Sequence, residues 1–243
     1  MRIAVLGDIH GNILALESVL SDIKDRAIDE VVFVGDAVGY GANPVECLDT
    51  VLESMKIRVA GNHDFGAVGK VGVNHFNKKA KAAIEWTATK LDYAGKMAIA
   101  SMPLTAKLGE DIKFVHASPL SPESWHYIRN RTGIGNQFAA FGERICFIGH
   151  THVPAVWCSD GSEREIAKDG DSMPLDSALR YIVNVGSVGQ PRDRDSRSCY
   201  VIYDDETRSV VFRRVEYDIE SAAKRIVDAG LPEYLALRLF KGI

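Results

Sequence analysis

Arg2-Ile3-Ala4-Val5-Leu6-Gly7-Asp8-Ile9-His10 is the stretch on which the reading of the whole chain turns. Residues 2–6 form a short apolar run of the kind a buried strand carries. Gly7 frees the backbone to turn. A carboxylate and an imidazole, Asp8 and His10, then leave the strand's carboxyl end, which is where open α/β sheets place their ligands. Alone, Asp-x-His fits the cap of a following helix as well as it fits a metal. Its meaning depends on what returns to it later in the chain.

The same pattern returns. Residues 31–34 read as a second buried strand ending in Gly35-Asp36, and residues 57–60 as a third ending in Gly61-Asn62-His63-Asp64. Neighbouring parallel strands that each end in Gly-Asp bring two carboxylates to one rim, where divalent cations relieve their repulsion. Asn62 can ligate through its amide oxygen without adding charge. His63 can serve as ligand or general acid, with Asp64 fixing its tautomer. Residues 112–115 read as a strand ending at His116, and residues 144–148 as one ending in Gly149-His150-Thr151-His152. Two imidazoles two residues apart can face different ions.

Between these strand ends lie helices and loops. Ile13, Leu16, Val19, Leu20 and Ile23 mark one face of a helix that Asn12 caps, the alternative being that Asn12 meets an anion. Gly39-Tyr40-Gly41 makes a turn before a helix over 44–54 with Pro44 in its first turn. Residues 66–102 break the strand rhythm. A helix over 74–93 carries Lys78, Lys79, Lys81 and Lys90, which read as a solvated face or, alternatively, as a cap that attracts phosphate over the site. Loop plus short helix is expected over 122–142, where Trp125, Tyr127, Arg129 and Arg131 pack an irregular loop or stack a base. His75 and His126 have no partner motif and stay outside the site.

Residues 159–177 suggest a surface hairpin. The glycine-rich loop Gly186 to Arg192 offers N–H groups and a guanidinium to an anion but lacks P-loop spacing. A hairpin over 199–215, a helix over 218–228 capped by Asp218 and an amphipathic helix over 231–240 complete a single domain spanning 1–243.

The totals narrow the function. With 29 Lys and Arg against 33 Asp and Glu, the net charge of −4 gives no support for bulk nucleic-acid binding. Cys47, Cys146, Cys158 and Cys199 lack Cys-x-x-Cys spacing, so neither a zinc finger nor a disulfide framework is expected, and scattered thiols suit a reducing cytosol. No apolar run approaches the ~20 residues of a membrane span, and no signal peptide precedes the first strand. The expected setting is cytoplasmic.

Taken in order, Gly7-Asp8-Ile9-His10, Gly35-Asp36, Gly61-Asn62-His63-Asp64, His116 and Gly149-His150-Thr151-His152 resemble the motif series of the calcineurin-like metallophosphoesterases. The Asn-x-Gly-Ser-Val-Gly-Gln-Pro-Arg run at 184–192 is similar to one in small bacterial and archaeal members, where it lies beside the site. The resemblance implies an α/β four-layer αββα sandwich of two mixed sheets flanked by helices. It implies that Asp36 bridges two metals, one held by Asp8, His10 and His152 and the other by Asn62, His116 and His150. A nitrogen and oxygen donor set without thiolate suits Mn²⁺ foremost, with Fe, Zn²⁺ or Ni²⁺ compatible, and not calcium.

In such enzymes a hydroxide held between ions about 3.5–4 Å apart attacks phosphorus, and His63, assisted by Asp64, protonates the leaving oxygen. The expected activity is phosphodiester hydrolysis of a small phosphate ester or nucleotide, with Asn12, Tyr40 and Arg192 as candidate substrate contacts. Alternatives on the same site are a diadenosine polyphosphate hydrolase, a phosphomonoesterase or a protein phosphatase, the last disfavoured by the compact length. An alternative of another class is a non-catalytic scaffold, as in the retromer subunit that resembles this family but lacks the His after Asn; here His63 is present.

Overall fold

The computed structural model describes residues 1–166 and 169–243; residues 167 and 168, inside the expected 159–177 hairpin, lie outside the described residues. Twelve strands are found among the described residues: β1 (Arg2–Leu6), β2 (Glu30–Phe33), β3 (Ile57–Arg58), β4 (Thr105–Leu108), β5 (Ile112–Val115), β6 (Ile145–Ile148), β7 (Ala155–Cys158), β8 (Glu163–Arg164), β9 (Ser172–Pro174), β10 (Tyr181–Asn184), β11 (Ser198–Asp204) and β12 (Ser209–Val215). They form two six-stranded sheets, ordered β3-β2-β1-β11-β12-β9 and β4-β5-β6-β10-β7-β8.

Each sheet has a parallel half. In the first, β1 pairs parallel with β2 and β2 with β3; in the second, β5 pairs parallel with β6 and β6 with β10. The remaining pairings are antiparallel. The motif residues all follow the carboxyl ends of these six parallel strands, so the topology collects them at one rim.

Alternation along the strands explains the layers. Ile3 and Val5 of β1 point into the space between the sheets with Val32, Phe114, Phe147, Val183 and Val201, while Ala4 and Leu6 point outward. The outward face of the first sheet is covered by α1 (Ile13–Lys24) and α2 (Pro44–Ser54), through Leu16, Val19, Leu48 and Val51. The short α3 (Asn62–Ala67) follows β3. The outward face of the second sheet packs Cys146, Ile148 and Trp157 against Ile134 and Phe138 of α6 (Ile134–Ala139). Two mixed sheets flanked by helices match the expected architecture.

Three local expectations need correction. The helix expected over 74–93 is preceded by a 3₁₀ turn, Val73–His75, and followed by a separate helix. Asn77 starts α4 (Lys78–Lys90) by accepting the N–H groups of Lys79 and Ala80, and Asp92 starts α5 (Tyr93–Ser101) by accepting that of Gly95. The 159–177 segment is not one hairpin: β8 folds back on β7, whereas β9 crosses to β12 and lowers Met173 into the inter-sheet core. Beyond α7 (Ile219–Asp228), the expected 231–240 helix is divided into α8 (Glu233–Leu237) and a 3₁₀ turn, Leu239–Lys241. Leu235, Ala236 and Leu239 thereby reach one cluster with Ala222, Ala223 and Ile226 of α7.

Candidate metal centre

Asp8, His10, Asp36, Asn62, His63, His116, His150 and His152 are all buried and lie together at the rim where the six parallel strands end. Ligand-type atoms fall within 4.8 Å of one another in three groups: Asp8, His10 and His152; Asp36, His116 and His150; and His10, Asp36 and His63. One Asp36 carboxylate oxygen, Oδ2, stands 3.6 Å from His10 Nε2 and 3.3 Å from His116 Nε2, between the first two groups. Its other oxygen accepts the His63 backbone N–H at 2.8 Å.

The glycines of the motifs make room for this convergence. A Cβ on Gly61 would lie 2.0 Å from Asp36 Oδ1, and one on Gly149 would lie 2.3 Å from Asp8 Oδ2. The backbone is bent to aim the ligands as well. Asp8, His10, Asp36, His150 and His152 all adopt positive φ between 52° and 67°, a conformation that costs an L-residue about 1–2 kcal/mol. Such strain clusters where surrounding structure over-determines a functional geometry.

Four imidazoles are oriented in the same way. His10 Nδ1 faces the Val38 carbonyl at 3.1 Å, His116 Nδ1 that of Val34 at 2.8 Å, His152 Nδ1 that of Gln190 at 2.6 Å, and His150 Nε2 that of Trp125 at 2.8 Å. A carbonyl only accepts, so each of these ring nitrogens carries the proton. In the neutral rings the opposite nitrogens then hold lone pairs. Yet His10 Nε2 and His152 Nε2 are 3.1 Å apart, and His116 Nε2 and His150 Nδ1 are 3.2 Å apart. Lone pairs at that distance repel unless a cation, proton or metal, lies between them. Asp8 Oδ1, 3.2 Å from His152 Nε2, and the buried Asn62 Oδ1 have no hydrogen-bond partner at all.

The proton affinities follow from this crowding. Burial pushes His10 and His150 down to about 3 and His152 well below its ordinary value, the Arg192 charge adding to the effect at His152. For His116 burial acts in the same direction, but the Asp36 carboxylate outweighs it and pushes the ring up to about 9. Burial would raise Asp36, and the surrounding His116 and His63 instead hold it well below the carboxylate range. A carboxylate and imidazole set with preset tautomers and unpartnered oxygens suits two divalent ions without thiolate ligands.

His63 differs from the other four rings. Its Nδ1 is buried without a partner, and the ring lies against Tyr40 at 4.4 Å and edge-on to Phe76 at 5.1 Å. The expected Asp64 partnership is absent. Asp64 Oδ2 accepts the N–H groups of Asp36 and Gly61, each at 2.9 Å, and Oδ1 accepts that of Val38 at 3.2 Å. Asp64 occupies the third position of α3, with Gly61 as N-cap, and its carboxylate returns to the cap N–H. It braces the Asp36 loop rather than the His63 ring. Burial, joined by the Asp36 charge, pushes its carboxyl up to about 7 against the pull of those N–H donors.

Asn12 and the 186–192 loop have structural roles. Asn12 caps α1 by accepting the Ala15 N–H and donates to the Gly189 carbonyl, so both ends of its amide are engaged. The loop's N–H groups are not free for an anion: Val188 donates to Gly7, Gly189 to Asp8, and Gln190 to the Ser187 hydroxyl. The Arg192 and Tyr40 side chains do reach the cleft, with the Arg192 guanidinium 5.6 Å from the Tyr40 ring centroid.

Sequence reasoning missed two contributors. Buried Asn184 donates to the Gly149 carbonyl and the Thr151 hydroxyl, tying down the His150–His152 turn. Trp125, itself at φ 54°, supplies the carbonyl that orients His150, and Tyr127 stacks on that ring at 4.1 Å. Above the centre opens a cavity of about 530 Å³ walled by Tyr40, Phe76, Trp125 and Tyr127, with His63, Asn62 and His150 at its base. The 66–102 segment contributes one side of it through Val71, His75 and Phe76.

Comparison with known proteins agrees with this geometry. The model of the calcineurin-like phosphoesterase superfamily domain matches residues 1–208. An uncharacterized protein of Methanocaldococcus jannaschii is 39% identical over 99% of this chain and 98% of its own length. A metallophosphoesterase from Sphaerobacter thermophilus superposes with TM-score 0.90 at 38% identity, covering all of both chains. A hypothetical protein from Pyrococcus horikoshii shares the fold at TM-score 0.78 and 21% identity, over 100% of this chain and 98% of that one. Among the described residues no helix is long and apolar enough to cross a membrane.

Proposed function

Because this chain belongs to the calcineurin-like phosphoesterase superfamily, we propose that it is a dinuclear metal-dependent phosphoesterase acting on phosphodiesters. On this reading Asp8, His10 and His152 would hold one ion and Asn62, His116 and His150 the other, with Asp36 placed to serve both and Mn²⁺ the first candidate. The observation that carries this reading is the pairing of carbonyl-braced imidazoles that leaves Nε2 of His10 facing Nε2 of His152 at 3.1 Å and Nε2 of His116 facing Nδ1 of His150 at 3.2 Å, each pair needing a cation, proton or metal, between its nitrogens. The protein builds that arrangement twice, once beside each aspartate.

When bound, two divalent ions lower the pKa of a water and neutralise the non-bridging oxygens of a phosphate ester. The rest of the chemistry belongs to the chain. Asp36 and Asp8 supply the negative charge that holds the ions. The carbonyls of Val38, Val34, Gln190 and Trp125 keep the rings from turning. His63 is the ring left without a carbonyl brace, and it stands at the base of the cavity. We assign it the proton given to the leaving oxygen. Burial disfavours its charged form, pushing it down to about 3. Asp64 acts on the backbone that positions Asp36 and His63.

The cavity above the site has the size of a small-molecule pocket, and its aromatic walls support a nucleotide-type ester as substrate. The whole chain acts as one catalytic unit, with the 66–102 segment as a fixed side of the cleft. Buried, unpaired Cys47, Cys146, Cys158 and Cys199 support a reducing, cytoplasmic setting.

His63→Asn tests the reading. With metal content measured and retained, kcat on bis(p-nitrophenyl) phosphate is expected to fall about 10²–10⁴-fold, the usual range for a lost general acid. Turnover near that of the parent protein would remove His63 from the chemistry.

A further inference from the structure

A proton donor must meet the leaving oxygen in a fixed geometry, yet His63 is the ring of the centre that no carbonyl holds. Its backbone is fixed, since its N–H donates to Asp36 Oδ1 at 2.8 Å. Rotation of the side chain is what remains to be settled. Hydrogen bonding does not settle it. Nδ1 is buried with no partner, and the neighbouring Asp64 carboxylate is taken by the N–H groups of Asp36 and Gly61.

The ring is nonetheless enclosed, with His63 only 4% exposed. Three other rings pack on it. Tyr40 lies 4.4 Å away between centroids with the planes at 49°, Phe76 at 5.1 Å and 83°, and His10 at 4.7 Å and 80°. Edge-to-face contacts of this kind are an arrangement aromatic pairs prefer. The remaining wall is main chain: a Cβ on Gly39, itself at φ 90°, would lie 2.5 Å from His63 Nδ1. With Nδ1 shut against the backbone, Nε2 is the nitrogen left to reach the cavity that His63 lines.

The walls of this slot are themselves pinned, and they come from unrelated segments. The Gly41 N–H donates to the His10 carbonyl at 2.8 Å, which ties the Gly39-Tyr40-Gly41 turn to the first motif. Tyr40 is buried and held at φ 61°. Phe76 stands one residue before Asn77, the cap of α4, and donates its N–H to the Val73 carbonyl at 3.2 Å. A hydrophobic residue in that place often packs on the fourth residue of the helix. Here the fourth residue is Lys81. The Phe76 ring instead meets His63 and approaches Gly66 of α3, where a Cβ would lie 3.7 Å from its Cζ.

We propose that Tyr40 and Phe76 are positioning residues that aim His63 by packing alone, as backbone carbonyls aim the other four imidazoles. The 66–102 segment then serves the reaction through Phe76. This deepens the reading of His63 as proton donor and rests on it. As the ester P–O bond breaks, its electron pair stays on the leaving oxygen and takes the proton from His63 Nε2, while the N–H electron pair stays on the ring.

The test is a double-variant cycle on the metal-loaded protein with two symmetric diesters, diphenyl phosphate and bis(p-nitrophenyl) phosphate. Phenolate is the more basic leaving group and needs the proton more. Phe76→Ala is expected to lower kcat on diphenyl phosphate by about 10–100-fold, the cost of a donor displaced by about 1 Å. The fall is smaller on the nitrophenyl ester, and KM and metal content change far less. In a His63→Asn background, Phe76→Ala lowers kcat by no more than about twofold further, because the ring it aims is gone. Tyr40→Ala behaves as Phe76→Ala does, and Tyr40→Phe, which keeps the ring, recovers most of the loss. Where Phe76→Ala fails to fold, Phe76→Leu carries the same cycle with a smaller fall.

An equal fall in both backgrounds, an equal fall on both esters, or a loss carried by KM or by metal content overturns the positioning role while the phosphoesterase reading stands. A Tyr40→Phe loss as large as that of Tyr40→Ala removes Tyr40 from the role and gives its hydroxyl a part of its own. Parent-like turnover of diphenyl phosphate by His63→Asn overturns both the positioning role and the assignment of His63.

Discussion

The cleft has a floor and a rim, built on opposite principles. On the floor the functional side chains are buried, Asp8, His10, Asp36, His150 and His152 sit on backbone bent to positive φ, and each of four imidazoles is held by a carbonyl. At the rim Tyr127 is 48% exposed, Lys78 and Lys79 are in solvent, and the Arg192 guanidinium meets the Gln190 side-chain oxygen and no carboxylate among the described residues. The floor comes from strand ends that the parallel sheet order must bring together. The rim comes from segments far apart in sequence that share no pattern. A floor so over-determined fixes the kind of reaction, and a rim free of that constraint is where one member of the family can differ from another in what it accepts.

The largest effect that distinguishes floor from rim comes from Asp36. Asp36 is common to two of the three ligand groups, and its Oδ2 stands between His10 and His116. Asp36→Ala is expected to lower metal affinity by more than the roughly 10–100-fold typical of losing a supporting partner, and activity to background with it. Metal stoichiometry by elemental analysis and affinity by calorimetry check this. Two ions retained per chain at parent affinity would show that Asp36 is not the shared ligand.

Asn184 extends the floor beyond the motifs. Its amide donates to Gly149 and Thr151 and its oxygen accepts the Gly186 N–H, all inside the protein. Asn184→Ala is expected to cost about 1–3 kcal/mol of stability through the buried groups it leaves unpaired, and about 10–100-fold in metal affinity through the loosened His150–His152 turn. Denaturant unfolding and metal titration measure the two separately.

That residue also marks how far the sequence could be read. Gly-Asp, Gly-Asn and Gly-His units are visible because a Cβ on the glycine itself would collide with a ligand from a neighbouring loop, as at Gly61 against Asp36 and Gly149 against Asp8. An asparagine ending a strand, or the carbonyl of Trp125, has no such signature, since its partner is set only by tertiary packing. Asp64 illustrates the opposite limit. Its place beside His63 suggests a tautomer partner, whereas its spacing from Gly61 is that of a helix cap, and the cap is what the structure shows. The 186–192 loop likewise reads as open to an anion because sequence does not reveal that its Val188 and Gly189 N–H groups meet the Gly7 and Asp8 carbonyls.

Tyr127 tests the rim side. Its ring stacks on His150 and faces the cavity above the site, with Arg129 4.5 Å from the ring centroid. Base–aromatic stacking is worth about 1–3 kcal/mol per base. Tyr127→Ala is therefore expected to raise KM for a nucleotide ester by about 5–100-fold on that scale, with kcat and metal content changed far less. A loss carried mainly by kcat or by metal would move Tyr127 from rim to floor.

The smallest effect belongs to a charge cluster away from the cleft. Asp22 lies near the end of α1, about 15 Å along the helix from Asn12 at 1.5 Å per residue. It receives Arg26, Arg213 and the Tyr200 hydroxyl. Burial would raise its carboxyl, but these donors together hold it below the carboxylate range. A folded-state pKa below the unfolded value stabilises the protein only while the unfolded carboxyl is ionised. The contribution is therefore complete above the unfolded aspartate pKa of about 3.9 and is lost as pH falls from there toward the folded value. Asp22→Asn is expected to cost about 1–2 kcal/mol at pH 7, since the side chain is only 18% exposed but its partners remain partly in water. The gap from the parent protein should close as unfolding is followed from pH 5 to pH 3, while metal content and kcat/KM at pH 7 stay unchanged. A gap independent of pH would mean that Asp22 acts through packing or neutral hydrogen bonds. A change in kcat/KM would mean that this end of α1 is coupled to Asn12 and the site, and that floor and rim do not divide the molecule's chemistry between them.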